Sequence, residues 1–200
     1  KETADHLEIG FKTTFDRGRF EAAVWNTDID DLQQQVLQPD GSFSVINVAG
    51  ASSQGAEASG AVSLSDHFSM NASIQYVDSE FSNGVGAIAQ GGRVLDGTSL
   101  PFVSDVTASI GLDYSAAMAG GIEVFAGGNI FYRTDQVMDV NFGQEEDGYS
   151  LVNLRAGIRM KDGALEASLW CKNCGDETYS TSNFAIPFDG SVFFPQTRWG

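Results

Sequence analysis

The sequence predicts an all-β protein, an antiparallel up-and-down β-barrel that crosses a membrane, and three observations predict it. Apolar and polar residues alternate along stretches of ten or more residues, tight turns alternate with long loops between those stretches, and 23 of the 200 residues are glycine. In the stretch 151–160, for example, Val152 and Ile158 share one parity while Asn153 and Arg159 share the other. Successive side chains of a strand point to opposite faces, and about ten tilted residues cross the hydrocarbon of a bilayer. The apolar parity is therefore expected to contact lipid, and the polar parity to border a water-filled interior.

Period-two alternation predicts eight strands and the start of a ninth. The eight lie at 6–15, 19–30, 54–64, 68–80, 105–115, 121–133, 149–160 and 164–174, and the ninth begins near Phe194. Tight turns are predicted at 17–18, 65–67, 116–120 and 162–163, and long loops at 31–53, 81–104, 134–148 and 175–193. Outer-membrane barrels have short periplasmic turns and long extracellular loops, which predicts the orientation of this chain.

The turns also predict how the strands pair. A two-residue turn at 162–163 places apolar residues opposite apolar residues, beginning with Met160 opposite Leu165, and the turn at 65–67 does the same. On the polar parity the first turn pairs Arg159 with Glu166, Arg155 with Trp170, and Asn153 with Lys172. These pairs predict an ion pair at Arg159 and a cation–π contact at Arg155. A two-residue turn at 17–18 predicts Phe15 opposite Phe20, both facing lipid.

Composition excludes several classes of protein. A net charge of −16 argues against nucleic-acid binding, which needs a basic surface. Because no stretch approaches 18 consecutive apolar residues, a membrane-spanning helix is excluded. The two histidines, His6 and His67, form no recognisable catalytic constellation, so the sequence predicts no enzyme, no catalytic residue and no cofactor. The chain opens inside a strand pattern and lacks a signal-peptide layout, which predicts that it is part of a longer protein.

Two clusters suggest metal or redox chemistry, and neither is favoured. Cys171 and Cys174 form a C-x-x-C, but residues three apart in an extended strand are about 10 Å apart and point to opposite faces. They are predicted to be small unpaired apolar residues with Cys171 facing lipid, and no second ligand pair is present for zinc. Asp28, Asp30 and Asp31 lack the glycine and distal glutamate of a calcium loop, so no metal site is predicted.

Two other architectures fit part of the pattern. A soluble β-sandwich also alternates, but its strands are usually five or six residues long. Several positions on the apolar parity are alanine or glycine, which pack a core poorly and are tolerated against lipid. An intact eight-stranded barrel would leave the ninth strand unused.

Six segments, in order along the chain, resemble the C-terminal part of the barrel of TonB-dependent outer-membrane receptors. The segments are 7–12 (LEIGFK), 25–33 (WNTDIDDLQ), 47–51 with 55–57 (NVAGA and GAE), 149–155 (YSLVNLR), 172–179 (KNCGDETY) and 195–200 (PQTRWG). Cys174 stands where the family usually has leucine. The resemblance implies that residues 1–200 are about nine of 22 strands of one barrel domain, without the N-terminal plug domain and the closing strand.

The resemblance also implies a function and partners. The expected function is active uptake of a scarce bulky nutrient, most often a ferric siderophore, across the outer membrane of a Gram-negative bacterium. The expected partners are the TonB complex acting through the plug domain, a small-molecule or metal-chelate ligand, and outer-membrane lipid with lipopolysaccharide. A barrel that does not depend on TonB, either a passive porin or an adhesin-like surface protein, is the alternative function.

Candidate site residues follow from position and chemistry. Aromatic and arginine side chains at strand tops and in long loops are suited to a planar or anionic iron complex through stacking and charge. The ligand-binding candidates are Arg93, Arg133, Gln136, Tyr149, Tyr179, Phe184 and Phe188. The residues predicted to face the lumen or the plug are Glu57, Glu123, Asn153, Arg155, Arg159, Glu166, Trp170 and Lys172.

Overall fold

The computed structural model describes residues 1–37, 42–47, 50–82, 97–139, 143–160, 163–183, 186–188, 191–193 and 196–199. Its strands are β1 (Thr3–Phe15), β2 (Gly18–Asp30), β3 (Gln33–Leu37), β4 (Phe43–Asn47), β5 (Gly50–Ser63), β6 (Phe68–Ser82), β7 (Val106–Met118), β8 (Ile122–Arg133), β9 (Gln136–Asp139), β10 (Gln144–Glu146), β11 (Tyr149–Met160), β12 (Leu165–Cys171), β13 (Tyr179–Asn183), β14 (Ile186–Phe188), β15 (Ser191–Phe193) and β16 (Gln196–Trp199). Within those ranges, no helix is long and apolar enough to cross a membrane.

Eight long strands form one antiparallel sheet, here called the main sheet, in the order β1-β2-β5-β6-β7-β8-β11-β12. They are the eight predicted strands, with ends within a few residues of the prediction, and each pairs with its neighbour in the meander. In the described part of the chain β1 and β12 do not pair with each other, so the sheet is open. The alternative of an intact eight-stranded barrel is therefore wrong.

The long loops contain short hairpins that period-two analysis did not predict. β3 pairs with β4, β9 with β10, and β14 with β15, each as a separate two-stranded sheet. The ninth strand was predicted to begin near Phe194. In the structure β16 begins two residues later, at Gln196, and pairs with β13. These strands are three to five residues long, too short for an alternation signal to stand out.

Two predicted registers are confirmed. β11 pairs with β12 from Met160↔Leu165 to Leu154↔Cys171, and β5 pairs with β6 through Val62↔Met70. β12 ends at Cys171, so the predicted strand pair of Asn153 with Lys172 does not form. Asn153 instead accepts a hydrogen bond through Oδ1 from the backbone N–H of Asn173, at 2.9 Å.

The predicted register of the first hairpin is wrong by two residues. The turn lies at 16–17, so Phe15 is opposite Gly18 and Phe20 is opposite Thr13. The Phe15 ring lies over Gly18, where a Cβ would come within 2.7 Å of it. The absence of a side chain at Gly18 leaves room for this ring, which favours Phe15 opposite Gly18 over the predicted pairing of Phe15 with Phe20. Both phenylalanines nevertheless face the predicted side.

The third tight turn is also displaced from its predicted position at 116–120. β7 continues to Met118, which pairs with Ile122, and the turn occupies 119–121. Gly120 and Gly121 have φ values of +83° and +72°, a region that glycine adopts without steric cost. The adjacent glycines therefore decide where the chain reverses.

The prediction that the cysteines are unpaired is wrong, because Cys171 and Cys174 form a disulfide. The prediction assumed an extended strand, but β12 ends at Cys171 and Asn173 adopts a positive φ of 49°. This turn brings the two Cα atoms to 5.6 Å, within the range of a disulfide. The pair closes the turn at the end of β12.

Tryptic digestion is expected to reveal the disulfide directly. Trypsin cleaves after Lys172, which lies between the two cysteines, so peptides 162–172 and 173–198 remain joined only through a disulfide. Digestion of the full-length protein without reductant is expected to give one mass for the joined pair, and reduction should separate it. Two separate peptides before reduction would contradict the disulfide, and the variant Cys174→Ser is the control.

The two faces of the main sheet differ in chemistry. One, here called the apolar face, exposes large apolar side chains, with exposed fractions of 69% for Leu7, 54% for Ile74, 45% for Leu112 and 83% for Leu169. The opposite face, here called the polar face, carries serine, asparagine and charged residues. In the described chain these apolar residues stay uncovered, so the core that a soluble sandwich requires is not formed.

Candidate functional site

Seven of the eight residues predicted to face the lumen lie on the polar face. They are Glu57, Glu123, Asn153, Arg155, Arg159, Glu166 and Trp170. Cross-strand partners share a face, and successive pairings connect these positions across β5 to β12. Lys172 lies one residue beyond β12, and its ammonium is 5.7 Å from the centre of the Trp170 ring.

Arg159 joins three strands near the turn end of the polar face. Its Nη1 donates to Glu123 Oε1 at 3.0 Å, and its Nε donates to Glu166 Oε2 at 2.9 Å. The predicted ion pair with Glu166 is therefore confirmed, and Glu123 adds a second carboxylate. The guanidinium also lies 4.3 Å from the centre of the Phe125 ring, so β8, β11 and β12 are held together here.

Arg155 does not make the predicted cation–π contact with Trp170. Its Nη2 donates to Asp113 Oδ1 at 2.9 Å, and its guanidinium lies 5.9 Å from the Phe125 ring centre. The carboxylate offers a charge-assisted hydrogen bond, which is stronger than a cation–π contact at an exposed site. The acceptor lies two strands away on β7, so a prediction from nearest-strand pairs could not find it.

Phe125 is 6% exposed because it occupies the space above a glycine. A Cβ on Gly157 would lie 2.6 Å from Phe125 Cζ and 2.5 Å from the Ala167 carbonyl oxygen. The ring therefore fills the place of a side chain on β11 and carries both arginines on its surface. Because a side chain at position 157 would collide with the Phe125 ring and the Ala167 carbonyl oxygen, this position requires glycine.

Gly157→Ala is expected to lower the free energy of unfolding by about 1–3 kcal/mol, because the added methyl group overpacks this contact. The matched control is Gly175→Ala, since a Cβ there has no heavy atom within 4 Å. Urea titration of the full-length protein folded into lipid vesicles measures both. Equal stability of the two variants would contradict the close approach.

Three of the predicted ligand-binding residues come together at the loop end of the polar face. Arg133 on β8 is directly opposite Tyr149 on β11, and its guanidinium is 5.1 Å from the Tyr149 ring centre. Tyr149 stacks on Tyr179, with ring centres 4.5 Å apart and an interplanar angle of 25°. Phe131 adds a tilted ring 6.4 Å from Tyr149. These four residues are here called the aromatic–arginine cluster.

Arg133 has an unused donor inside this cluster. Its Nε donates to the Thr134 carbonyl at 3.3 Å, whereas its Nη2 is buried and has no hydrogen-bond partner among the described residues. An unpaired buried donor of a charged group costs free energy relative to a paired one. The cluster therefore contains a cationic donor that an anionic acceptor would satisfy.

Tyr179 reaches the cluster because the segment after β12 folds back onto β11. The Cys174 N–H donates to the Val152 carbonyl at 2.7 Å, and the Asn173 side chain bonds both the N–H and the carbonyl of Glu177. The disulfide lies at the start of this segment. The loop position of Tyr179 is thus set by backbone contacts as well as by stacking.

Of the other four ligand candidates, only Gln136 has a side chain that the structure describes. Gln136 is 7% exposed and donates through Nε2 to the Met138 sulfur at 2.8 Å, so it packs within the loops. Arg93 and Phe184 lie outside the described residues. Phe188 is the last residue of β14, and the structure describes its backbone.

Sequence reasoning missed Phe131 and Glu146. Phe131 shares the parity of Arg133, two residues away, and that spacing was the available signal. Glu146 accepts the Ser180 N–H at 2.7 Å and so connects β10 to β13. No sequence pattern pointed to this long-range contact. Across the described ranges, no three His, Cys, Asp or Glu side chains are grouped as a metal site would require.

Comparison with known proteins decides the family. The family model described as "TonB dependent receptor-like, beta-barrel" matches residues 1–174. The chain belongs to the TonB-dependent receptor family. Proteins of this family are receptors and transporters of the Gram-negative outer membrane rather than enzymes, so the apolar face contacts lipid and the polar face borders the barrel interior. The alternative of a barrel outside this family is set aside.

Solved structures of such receptors share the fold. The ferric yersiniabactin uptake receptor FyuA from Yersinia pestis matches with a TM-score of 0.78 at 18% identity, covering 98% of this chain and 28% of that receptor. The siderophore receptor PiuA from Acinetobacter baumannii matches with a TM-score of 0.70 at 22% identity, covering 98% and 27%. The ferric-catecholate import receptor Fiu from E. coli K12 matches with a TM-score of 0.64 at 23% identity, covering 98% and 26%.

This TonB-dependent receptor chain therefore spans about a quarter of the length of the receptors it matches. A search of curated proteins gives no significant match. In the family orientation, the turn end of the main sheet faces the periplasm and the loop end faces the outside of the cell. The aromatic–arginine cluster then lies on the interior wall at the extracellular end.

Proposed function

We propose that this chain is the C-terminal part of the barrel of a transporter that takes up a ferric siderophore, or another bulky metal chelate, across the outer membrane. The energy comes from the TonB complex, acting through a plug domain N-terminal to residues 1–200. The solved receptors of the same fold include proteins described as receptors for ferric yersiniabactin and ferric preacinetobactin, which supports this choice of cargo.

The observation that carries the proposal is the unpaired Nη2 of Arg133 in the aromatic–arginine cluster. The cluster borders the aqueous interior near the extracellular loops, where a cargo first meets the wall. A carboxylate or phenolate oxygen of a chelate is an anionic acceptor that satisfies this donor. The cluster thus offers one charged hydrogen bond at a defined place.

The tyrosines add a second mode of recognition. Tyr149 contacts both the Arg133 guanidinium and the Tyr179 ring, and all three residues are half-buried. A planar ring of the cargo takes the place of Tyr179 on Tyr149, since stacked rings exchange at small cost in buried area. The cargo that fits is therefore a chelate with an anionic oxygen on or near an aromatic ring. Arg93, Phe184 and Phe188 are proposed to contact it from the loops.

The rest of the polar face is proposed to contact the plug domain. Arg155 and Arg159 are already paired with carboxylates, so their proposed role is to stabilise the packing of neighbouring strands in the barrel. Trp170 is 69% exposed on a face that borders water, which makes it a natural contact for a protein surface inside the barrel. Glu57, Asn153 and Lys172 provide polar contacts around it.

Growth under iron starvation tests the proposal. A strain lacking the full-length gene is grown with a panel of ferric chelates, including catecholates, hydroxamates and citrate, each as the sole iron source. Loss of growth on an aromatic anionic chelate, restored by the wild-type gene and only when TonB is present, is the expected result. Normal growth on every chelate would reject iron uptake as the function.

A further inference from the structure

Phe102 lies in the segment between β6 and β7 and has an unusual backbone conformation. Its φ is +64°, in the left-handed region that few side chains other than those of asparagine and aspartate adopt. In the described part of the chain, the other non-glycine residues with positive φ are all aspartate or asparagine, namely Asp31, Asn173 and Asp176. Phenylalanine has no polar side-chain group that could stabilise this conformation. Phe102 is therefore held there at a cost in free energy.

Backbone contacts on two sides hold the turn that contains Phe102. Pro101 precedes it, and proline followed by a residue with positive φ is typical of a type II turn, in which glycine usually takes the second of these positions. The Leu100 N–H donates to the Ser79 carbonyl of β6 at 3.3 Å, and the Phe102 N–H donates to the Val137 carbonyl of β9 at 2.7 Å. The strained residue is therefore fixed between two strands.

The side chain of Phe102 is exposed although apolar side chains on the adjoining strands are buried. Phe81 on β6 is 0% exposed and Met138 on β9 is 2% exposed, whereas Phe102 is 55% exposed. Val106 pairs with Tyr76, a tyrosine at the extracellular interface of the apolar face, and Phe102 precedes Val106 by four residues, or about 13 Å of extended chain. Because Phe102 lies beyond the hydrocarbon of the bilayer, contact with lipid does not explain its exposure.

We propose that Phe102 is a further specificity-determining residue of the receptor, which stacks on an aromatic ring of the ferric chelate. The inference rests on the proposed function and adds a contact outside the aromatic–arginine cluster. An exposed apolar residue alone is ordinary at a protein surface, but backbone strain that the surrounding strands maintain is a feature of functional sites. The turn keeps the ring in water in the free receptor, and stacking on the cargo removes that apolar area from water.

Phe102 is placed to contact a cargo that Arg133 binds. Val137, which accepts the Phe102 N–H, follows Arg133 by four residues, or about 13 Å of extended chain, so a bulky chelate spans the distance between the two. Asp135 and Glu145 lie beside Val137, the first along the chain and the second as its pairing partner on β10. These carboxylates repel a bare anionic group. The aromatic part of the chelate therefore meets Phe102, and its anionic oxygen meets Arg133.

Substitution of Phe102 in the full-length receptor tests the inference. Phe102→Asn removes the ring and introduces a residue that adopts a positive φ more readily. Because it relieves the backbone strain, Phe102→Asn is expected to raise the urea midpoint of unfolding in lipid vesicles, and because the ring is lost, it is expected to weaken binding of an aromatic chelate about tenfold. Phe102→Gly is expected to cause the same pair of changes. Phe102→Tyr keeps both the ring and the strain, so it should bind and unfold as the wild type does.

The binding probes are the ferric complexes of 2,3-dihydroxybenzoate and of salicylate. Each ligand carries an anionic oxygen on an aromatic ring, which is the chemistry that Arg133 and Phe102 together would recognise. Equilibrium dialysis of the purified receptor with radioactive iron in each complex gives the dissociation constants. Heat-modifiable gel migration verifies that each variant is folded.

The outcomes separate this inference from the proposed function. A wild-type receptor that bound neither probe would reject the aromatic chelate as cargo, and with it the contact at Phe102. Tight binding by the wild type and equally tight binding by Phe102→Asn would reject the contact alone and leave the proposed function standing. A fall in both the urea midpoint and the affinity of Phe102→Asn would also overturn the inference, because it would show that the ring stabilises the fold.

Discussion

Ile74→Lys is expected to lower the free energy of unfolding of the full-length receptor by about 2–4 kcal/mol, the cost of a lysine facing the hydrocarbon of a bilayer. Ile74 lies in the middle of β6, points to the apolar face and is 54% exposed between Ala58 and Ala108. The neighbouring strands β5 and β7 carry no carboxylate on this face, and the nearest one on β6 is Asp78, four residues away. Urea titration of folding into phosphatidylcholine vesicles measures the change.

Gln75→Lys is the matched control, because it adds the same side chain at the next residue and on the opposite face. Gln75 pairs with Glu57, so a lysine there meets water and a carboxylate. Its expected cost is close to zero. If both variants were destabilised equally, or if only Gln75→Lys were, the assignment of lipid and water to the two faces would be wrong.

Arg133→Gln is expected to weaken binding of the chelate that supports growth by about 10- to 100-fold. Losing a hydrogen bond between charged groups corresponds to about 1.5–3 kcal/mol. Nη2 has no hydrogen-bond partner among the described residues, so it is the donor that the chelate would lose. Glutamine keeps a polar group of intermediate length, so the stack of Tyr149 on Tyr179 should persist. Equilibrium binding to the purified full-length receptor gives the dissociation constant.

Arg17→Gln provides the comparison for Arg133. Arg17 lies in the first short turn, at the opposite end of the sheet, and its nearest carboxylate is Asp66 at 3.9 Å. Removing its charge should leave chelate binding unchanged. An unchanged dissociation constant for Arg133→Gln would remove the aromatic–arginine cluster from the binding site, whereas a loss for both arginines would indicate a general electrostatic effect.

Strand positions and facing were predictable because both depend on local pattern. Each residue of a strand chooses one of two faces, and a ten-residue alternation determines that choice without knowledge of distant contacts. The register of β11 on β12 followed from one turn. The register of β1 on β2 did not, because the Phe15 ring over Gly18 is a packing contact that moves the turn by one residue.

The candidate site was predictable in part for the same reason. Arg133 and Tyr149 have the right parity and lie near strand tops, so their shared face follows from alternation. Tyr179 reaches them through a turn that begins with a positive φ at Asn173, which period-two reasoning treated as strand. The disulfide was missed through the same assumption of extended backbone.

The alternation of side chains along the chain was sufficient to determine the meander of eight strands, the lipid-facing and water-facing sides, and the family that these features resemble. Only the folded structure decided that Arg155 pairs with Asp113, which donor of Arg133 is left without a partner among the described residues, and where the two cysteines meet. The side of the sheet to which a side chain points is determined within its own strand. These contacts instead join residues two or more strands apart or depend on a turn whose dihedral angles the pattern does not encode.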